Sequence, residues 1–259
     1  KAVALQLYTT GTTGRPKGVL TTERNLAAML SSFTGTFLLH ADARYLALLP
    51  MFHISGGGTP VSVLCAGAKV VLSSGTSSSA ILHDLTTHRI THVNLVPSLI
   101  ALLLADPETK RADLSSLEML MYGAAPSSDT TVAEAMALLP QCWFLHGYGL
   151  TECCGGVSYM QPHRHGDVIA WPGSVGTASP GCEIRVVNPE TLVDAPLDVP
   201  GEVWVRSPQN TIGYWQRPEE TQRLYGEPGW LRTGDIGVLN EHGVLVLKDR
   251  LKDMIISGG

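Results

Sequence analysis

Short apolar runs of β character alternate with segments of helical periodicity along the first half of the chain. "KVVLSS" (69–74), "THVNLV" (91–96), "LEMLMYG" (117–123) and "CWFLHGYG" (142–149) read as strands. Between them, "SAILHDLTTHRI" places Ile81, Leu82 and Leu85 on one helical face. "PSLIALLLAD" starts a helix with Pro97 in its first turn. "SDTTVAEAMALL" continues the pattern with Ser127 and Ser128 as candidate caps. This alternation predicts an α/β fold with a mostly parallel sheet flanked by helices. After about residue 166 the pattern changes. "CEIRVVN", "GEVWVRS", "WLRTGDIGVLN" and "GVLVLKDR" are short β runs separated by Pro, Gly and Asn, and "NEHG" (240–243) reads as a hairpin turn. A β-rich, barrel-like subdomain follows from that spacing. The expected division is 1–165 for the α/β part and 166–249 for the β-rich part, with 250–259 beyond it.

The front of the chain carries the most unusual polar segment. "AVALQLY" (2–8) suggests a mostly buried strand holding Ala2, Ala4, Leu5, Leu7 and Tyr8, and "TTGTTGRPKG" (9–18) follows it. The helical pattern "VLTTERNLAAMLSSF" comes next, with Thr21 or Thr22 as cap and apolar Leu26, Met29 and Leu30. Hydroxyls reorient to meet an anion, glycines let backbone N–H groups converge, and Arg15 and Lys17 add positive charge. Phosphate suits that combination, and strand, polar loop and helix is a common phosphate-site layout. The loop does not match G-x-x-x-x-G-K-[ST], because Gly18 follows Lys17. The loops at 9–18, 123–126 and 147–152 all follow β runs, where open α/β sheets place their ligands.

Composition narrows the classes. A chain of 259 residues can bury a sizeable core. A net charge of −5 without a basic cluster argues against nucleic acid as partner. No apolar stretch has the length of a membrane span and no signal peptide opens the sequence, so the cytoplasm is the expected compartment. Cys65, Cys142, Cys153, Cys154 and Cys182 form no C-x-x-C pair, and their odd number fits reduced thiols. "HRH" (163–165) lacks the further ligand spacing of a metal site. Trp204, Trp215 and Trp230 read as packing residues.

Four motifs stand in order: "YTTGTTGRPKG" (8–18), "GYGLTE" (147–152), "WLRTGD" (230–235) and "KDRLKDMIISGG" (248–259), with "LPMFHISGG" (49–57) and "MYGAAP" (121–126) between the first two. Together they resemble the adenylate-forming superfamily of acyl- and aryl-CoA synthetases, peptide-synthetase adenylation domains and luciferases, over essentially the whole chain. Thr10 stands where that family usually has Ser; both are hydroxyl donors. The resemblance implies the large N-terminal domain of such an enzyme, with a preceding segment and a C-terminal domain outside these residues, so the sequence reads as the middle of a longer protein.

The resemblance also implies chemistry. A carboxylate attacks the α-phosphate of ATP to give an acyl-adenylate and pyrophosphate, and a thiol, commonly that of coenzyme A, displaces AMP. Thr9, Thr10, Gly11, Thr12, Thr13, Gly14 and Lys17 would hold the β- and γ-phosphates. Tyr148 would lie against adenine, with Gly123, Ala124 and Ala125 in the pocket wall. Thr151 would touch the α-phosphate and Glu152 would bind Mg²⁺. Asp235 and Arg250 would hold the ribose, and Lys252 would serve as the hinge to the C-terminal domain. His53 would lie near the carboxylate. An acyl pocket of His53, Val96, Tyr122, Gly123, Gly147, Gly149, Leu150, Cys153, Cys154 and Gly155 is apolar and glycine-lined, with no Asp or Lys to meet a substrate amine, which disfavours amino acids. "YGLTECCGG" and "GYWQRPEET" look most like bacterial fatty-acyl-CoA synthetases. Aryl-acid CoA ligases are the alternative, as is a nucleotide- and acyl-adenylate-binding fragment without full turnover. The expected partners are the carboxylic acid, ATP and CoA, with peripheral membrane contact and homo-oligomerisation left open.

Overall fold

Strands Arg44–Ala47 (β3), His92–Leu95 (β5), Met119–Gly123 (β6) and Trp143–Leu150 (β7) send alternate side chains to opposite faces of one sheet, and helices cover both faces. Tyr45, Met119 and Leu145 face helices Glu23–Thr36 (α1) and Ile54–Cys65 (α2), packing with Met29, Phe33, Phe37 and Val63. Leu46, Val93, Leu120 and Phe144 face helices Ser78–Thr87 (α3), Pro97–Ala105 (α4) and Asp129–Leu138 (α5). A sheet buried on both sides explains why β5, β6 and β7 read as continuous apolar runs. The coordinates are a computed structural model that describes residues 2–10, 15–125, 128–160 and 173–250, with the backbone alone at 249 and 250.

With Lys69–Leu72 (β4), Gly155–Tyr159 (β8) and Thr177–Ala178 (β9), the sheet has seven strands in the order β4-β3-β5-β6-β7-β8-β9. β3 to β7 are parallel, and β8 and β9 run antiparallel at one edge. A second, antiparallel sheet holds Glu183–Val187 (β10), Gly201–Arg206 (β11), Tyr225–Glu227 (β12), Trp230–Leu239 (β13) and Leu245–Arg250 (β14). Its core comprises Val186, Val203, Val205, Leu231 and Leu245. The expected α/β class and the β-rich part beyond it are both present, and the "NEHG" turn joins β13 to β14.

The front of the chain departs from expectation. Val3–Thr10 (β1) pairs antiparallel with Pro16–Thr22 (β2), so a second strand precedes the helix and the chain does not run from β1 straight into it. The hairpin is a separate two-stranded ribbon, not part of the parallel sheet. β1 is also not the mostly buried strand expected, since Val3 is 47% and Tyr8 60% exposed. A two-stranded ribbon leaves one face open, and such a ribbon is marginal alone. This one is anchored from the β2 side, where Leu20 N–H donates to Gly213 O (2.9 Å) and Trp215 N–H to Gly18 O (2.7 Å).

Helix α1 starts as its sequence suggests. Thr22 is the cap, its hydroxyl accepting from Asn25 N–H while the Asn25 side-chain oxygen accepts from Thr22 N–H. The Asn25 amide donates to the carbonyls of Pro208 and Asn210 (2.8 Å each), joining the helix to the loop that approaches β2. Trp204 and Trp230 are buried as expected, but Trp215 is 53% exposed and does not act as a packing residue. All five cysteines are free.

Candidate active site

The site lies where the C-terminal ends of β6 and β7 meet the hairpin and the second sheet. Two backbone approaches shape it. A Cβ at Gly123 would stand 2.2 Å from Gly147 O, and one at Gly149 would stand 1.9 Å from Gly155 O. Only glycine permits both approaches. After β7, Thr151–Cys153 forms a single 3₁₀ turn, and Cys154 enters the left-handed region (φ 54°) to reverse the chain into β8.

Glu152, in that turn, is half-buried and gathers three separate parts of the chain. The Thr9 hydroxyl donates to Oε1 (3.3 Å), and the Tyr214 phenol donates to the same oxygen (2.9 Å). The Lys17 ammonium sits 4.4 Å from the centre of the Tyr214 ring. The hairpin's Thr9 and Lys17 are thereby brought to the carboxylate of the β7 turn. Burial, then the Glu152 charge, raises the Tyr214 phenol above its ordinary range, keeping it a donor.

The second pair is Tyr148 and Asp235, both buried. The Tyr148 hydroxyl donates to Asp235 Oδ2 over 2.7 Å. Burial and then the Asp235 charge hold this phenol well above its usual pKa. Asp235 N–H donates to the Thr233 hydroxyl (3.1 Å), and that hydroxyl donates to Val203 O (2.7 Å), so β11 and β13 fix the carboxylate. Asp235 stands opposite Arg250 in the β13–β14 register.

Two cavities of about 390 Å³ each meet here and share Ala124, Gly147, Tyr148 and Gly149. The first is lined by Ala125, Asp235 and Lys248; the second by Met29, Phe33, His53, Val96 and Leu150. His53 caps α2 without a side-chain hydrogen bond to it, and it is exposed. Gly123, Thr151, Cys154 and Gly155 also border the second cavity.

Two expected pocket residues fall elsewhere. Tyr122 lines the first cavity, stacked on His146 at 4.6 Å and 5°, because its neighbour Met121 takes the opposite face of β6. Cys153 lines neither cavity; it is fully buried in the core with Val19, Tyr148 and Val157, and burial pushes its thiol well above the usual range. Thr10 is exposed on the hairpin. Gly11, Thr12, Thr13, Gly14, Lys252 and the HRH tract lie outside the described residues, as does the Arg250 side chain. Tyr214 is the residue that the sequence reading did not assign a role. Its signal was present in "GYWQRPEET", but nothing local ties that Tyr to Glu152, 62 residues away.

The family model described as AMP-binding enzyme matches residues 1–215. The chain belongs to that AMP-binding family. It is similar to a long-chain-fatty-acid–CoA ligase of Escherichia coli O6:H1, 34% identical over 99% of this chain and 46% of the relative. It is equally similar to 4-coumarate–CoA ligase 2 of Oryza sativa subsp. japonica, 34% identical over 96% of this chain and 44% of the relative. O-succinylbenzoate coenzyme A synthetase from Bacillus subtilis, solved with ATP and a magnesium ion, superposes with a TM-score of 0.89 at 31% identity, covering all of this chain and 52% of that one. The chain thus spans about half the length of the AMP-binding relatives it matches. The match in fold is to the N-terminal domain of adenylate-forming enzymes.

Proposed function

We propose that this chain is the nucleotide- and acyl-binding part of an AMP-forming acid–thiol ligase, which activates a carboxylic acid with ATP and passes the acyl group to coenzyme A. The observation that carries the reading is the convergence of Thr9, Lys17, Glu152 and Tyr214 beside the Tyr148–Asp235 pair, at two joined cavities. The first cavity suits AMP. Tyr148 and the small Ala124 and Ala125 offer a flat, uncrowded wall to adenine, and the buried Asp235 carboxylate accepts from ribose hydroxyls, with Arg250 its neighbour in register. The second cavity, apolar and floored by glycine, suits the acyl group, with His53 and Thr151 at its border.

Thr9, Lys17 and the loop between them hold the β- and γ-phosphates, where negative charge accumulates as pyrophosphate departs; preorganised donors act most strongly there. Glu152 fits Mg²⁺ by its chemistry. Both hydroxyl donors engage Oε1, and a hard cation favours one or two carboxylates with phosphates. When bound, Mg²⁺ supplies neutralising charge to the phosphates.

A fatty acid is the substrate favoured, supported by the bacterial long-chain-fatty-acid–CoA ligase among the relatives and by the apolar second cavity. An aryl acid is the second reading, supported by the equally similar 4-coumarate–CoA ligase. Carboxylate-dependent ATP–pyrophosphate exchange, with fatty acids of increasing length and a set of aryl acids, tests both. Exchange with fatty acids alone supports the first, and exchange with aryl acids alone the second. ATP binding without exchange for any acid would reduce the chain to a nucleotide-binding fragment.

A further inference from the structure

The opposite, N-terminal edge of the parallel sheet carries a cluster that the ligase reading does not use. We propose that His40, His92 and Glu118 form a binding site for a divalent late-transition ion of the Zn²⁺ class. One potential ligand atom from each lies within 4.8 Å of the other two. The backbone builds the cluster. His92 opens β5, and it stands opposite Met119 at the start of β6. Glu118 N–H and Met119 N–H both donate to Thr91 O (2.8 and 3.0 Å), so Glu118 and His92 are held on adjacent strands. His40 comes from the turn after α1, where Ala43 N–H donates to His40 O (3.0 Å). Its Nε2 lies 2.9 Å from Glu118 Oε2, and its ring centre 5.6 Å from that of His92.

His92 is the side chain that points to a ligand. It is 1% exposed, and its Nε2 is buried without a well-formed hydrogen bond, although the backbone of Phe37 and Leu38 lies within weaker reach of the ring. Its Nδ1 is 2.8 Å from the Thr91 hydroxyl, which can direct its own proton to Arg44 O (3.3 Å). In that arrangement Nδ1 carries the ring proton and Nε2 presents a lone pair, the tautomer that a metal requires.

Two imidazoles and one carboxylate suit Zn²⁺, Co²⁺ or Ni²⁺ better than the hard Mg²⁺ of a phosphate site. A tetrahedral ion with bonds near 2.0–2.1 Å sets ligand atoms roughly 3.3 Å apart. His92 is fixed in the core. The His40 and Glu118 side chains are 44% and 51% exposed and can rotate to close the remaining distance. Such an ion would clip the end of α1 to the starts of β5 and β6, remote from the two cavities.

The test is Zn²⁺ binding by the tag-free chain, by isothermal titration and by the visible spectrum of the Co²⁺ complex. Because removing the buried His92 endangers folding, the variants are His40→Ala and Glu118→Gln, each half-exposed. The expected result is one ion per chain at micromolar affinity, an intense tetrahedral Co²⁺ band, and at least a tenfold loss in either variant. Absence of binding at 100 µM Zn²⁺ would overturn the proposal (roughly the weakest site worth calling specific). Undiminished binding in both variants would also overturn it, by assigning the ion to other residues.

Discussion

The Tyr214 phenol donates to Glu152 Oε1 over 2.9 Å, and the same ring carries the Lys17 ammonium on its face. One aromatic side chain therefore positions both the carboxylate and the cation assigned to the phosphates. Tyr214→Phe keeps the ring and removes only the donor. A hydrogen bond to a charged group is worth about 1.5–3 kcal/mol. The expected outcome is about a tenfold loss in affinity for Mg²⁺·ATP by calorimetry. Tyr214→Leu also removes the surface under Lys17 and is expected to lose more. Equal affinity in the wild type and Tyr214→Phe would show that the bond does not position Glu152.

Glu152 and Asp235 separate by ligand. If Glu152 meets the metal–phosphate part and Asp235 the ribose, Glu152→Gln weakens binding of Mg²⁺·ATP while leaving AMP nearly unchanged. Asp235→Asn weakens both by a similar factor, about tenfold or more for a lost charged hydrogen bond. Asparagine can still accept from Tyr148, so the fold should tolerate it better than alanine. Titration of both variants with both nucleotides gives four affinities. A loss of AMP binding in Glu152→Gln would contradict the division of roles.

The central strands β5, β6 and β7 were legible because burial on both faces writes itself as an apolar run, whereas the short β3, β8 and β9 were not read as strands. Helix α2 was not, since "ISGGGTPVSVLC" combines three successive glycines with Pro60, a poor helical composition. Tertiary packing overrides that propensity. A Cβ at Gly56 would stand 2.1 Å from Pro50 O, and one at Gly58 would stand 3.3 Å from Met29 Cε, so the glycines let the helix lie close to its neighbours. The hairpin was missed for a related reason. "PKGVLTT" lacks a clean period, and its second partner is the distant segment around Tyr214. At the site, the motifs located Glu152, Tyr148 and Asp235, but strand parity decided that Tyr122 and Met121 separate to opposite faces. The turn through left-handed Cys154 likewise decided that Cys154 borders a cavity while Cys153 is in the core.

Gly123 sets the distance between β6 and β7 at the join of the two cavities. Gly123→Ala forces a Cβ to 2.2 Å from Gly147 O, at a backbone position (φ 156°) that side chains rarely adopt. Backbone cannot yield as a flexible side chain can. The substitution is expected to cost about 3 kcal/mol or more, combining overpacking with strain, and to lower the midpoint of chemical denaturation accordingly. Gly67→Ala is a useful comparison, for it shares a positive φ (78°) but meets nothing within 4 Å. Its cost should be about 1–2 kcal/mol. Equal losses at both positions would mean that close approach adds nothing at Gly123.

Alkaline pH should destabilise the fold through its buried thiols and phenols. Burial pushes the Cys154 thiol from 9.0 up to about 12, with a hydrogen bond from the Thr21 side partly opposing it. Above pH 9 the unfolded chain releases this proton while the folded chain retains it. The unfolded state then binds fewer protons, so stability falls as pH rises. The contribution is fully present below pH 9 and is lost progressively between about 9 and 12, at up to about 1.4 kcal/mol per pH unit for one group. The buried phenols of Tyr45, Tyr148 and Tyr159, also raised by burial, join from about pH 10. Cys154→Ala removes one titration without touching the phenols. Denaturation curves at intervals from pH 8 to 10 should show a decline beginning near pH 9 in the wild type and a shallower one in Cys154→Ala. Identical slopes would mean that the thiol is no less hydrated folded than unfolded.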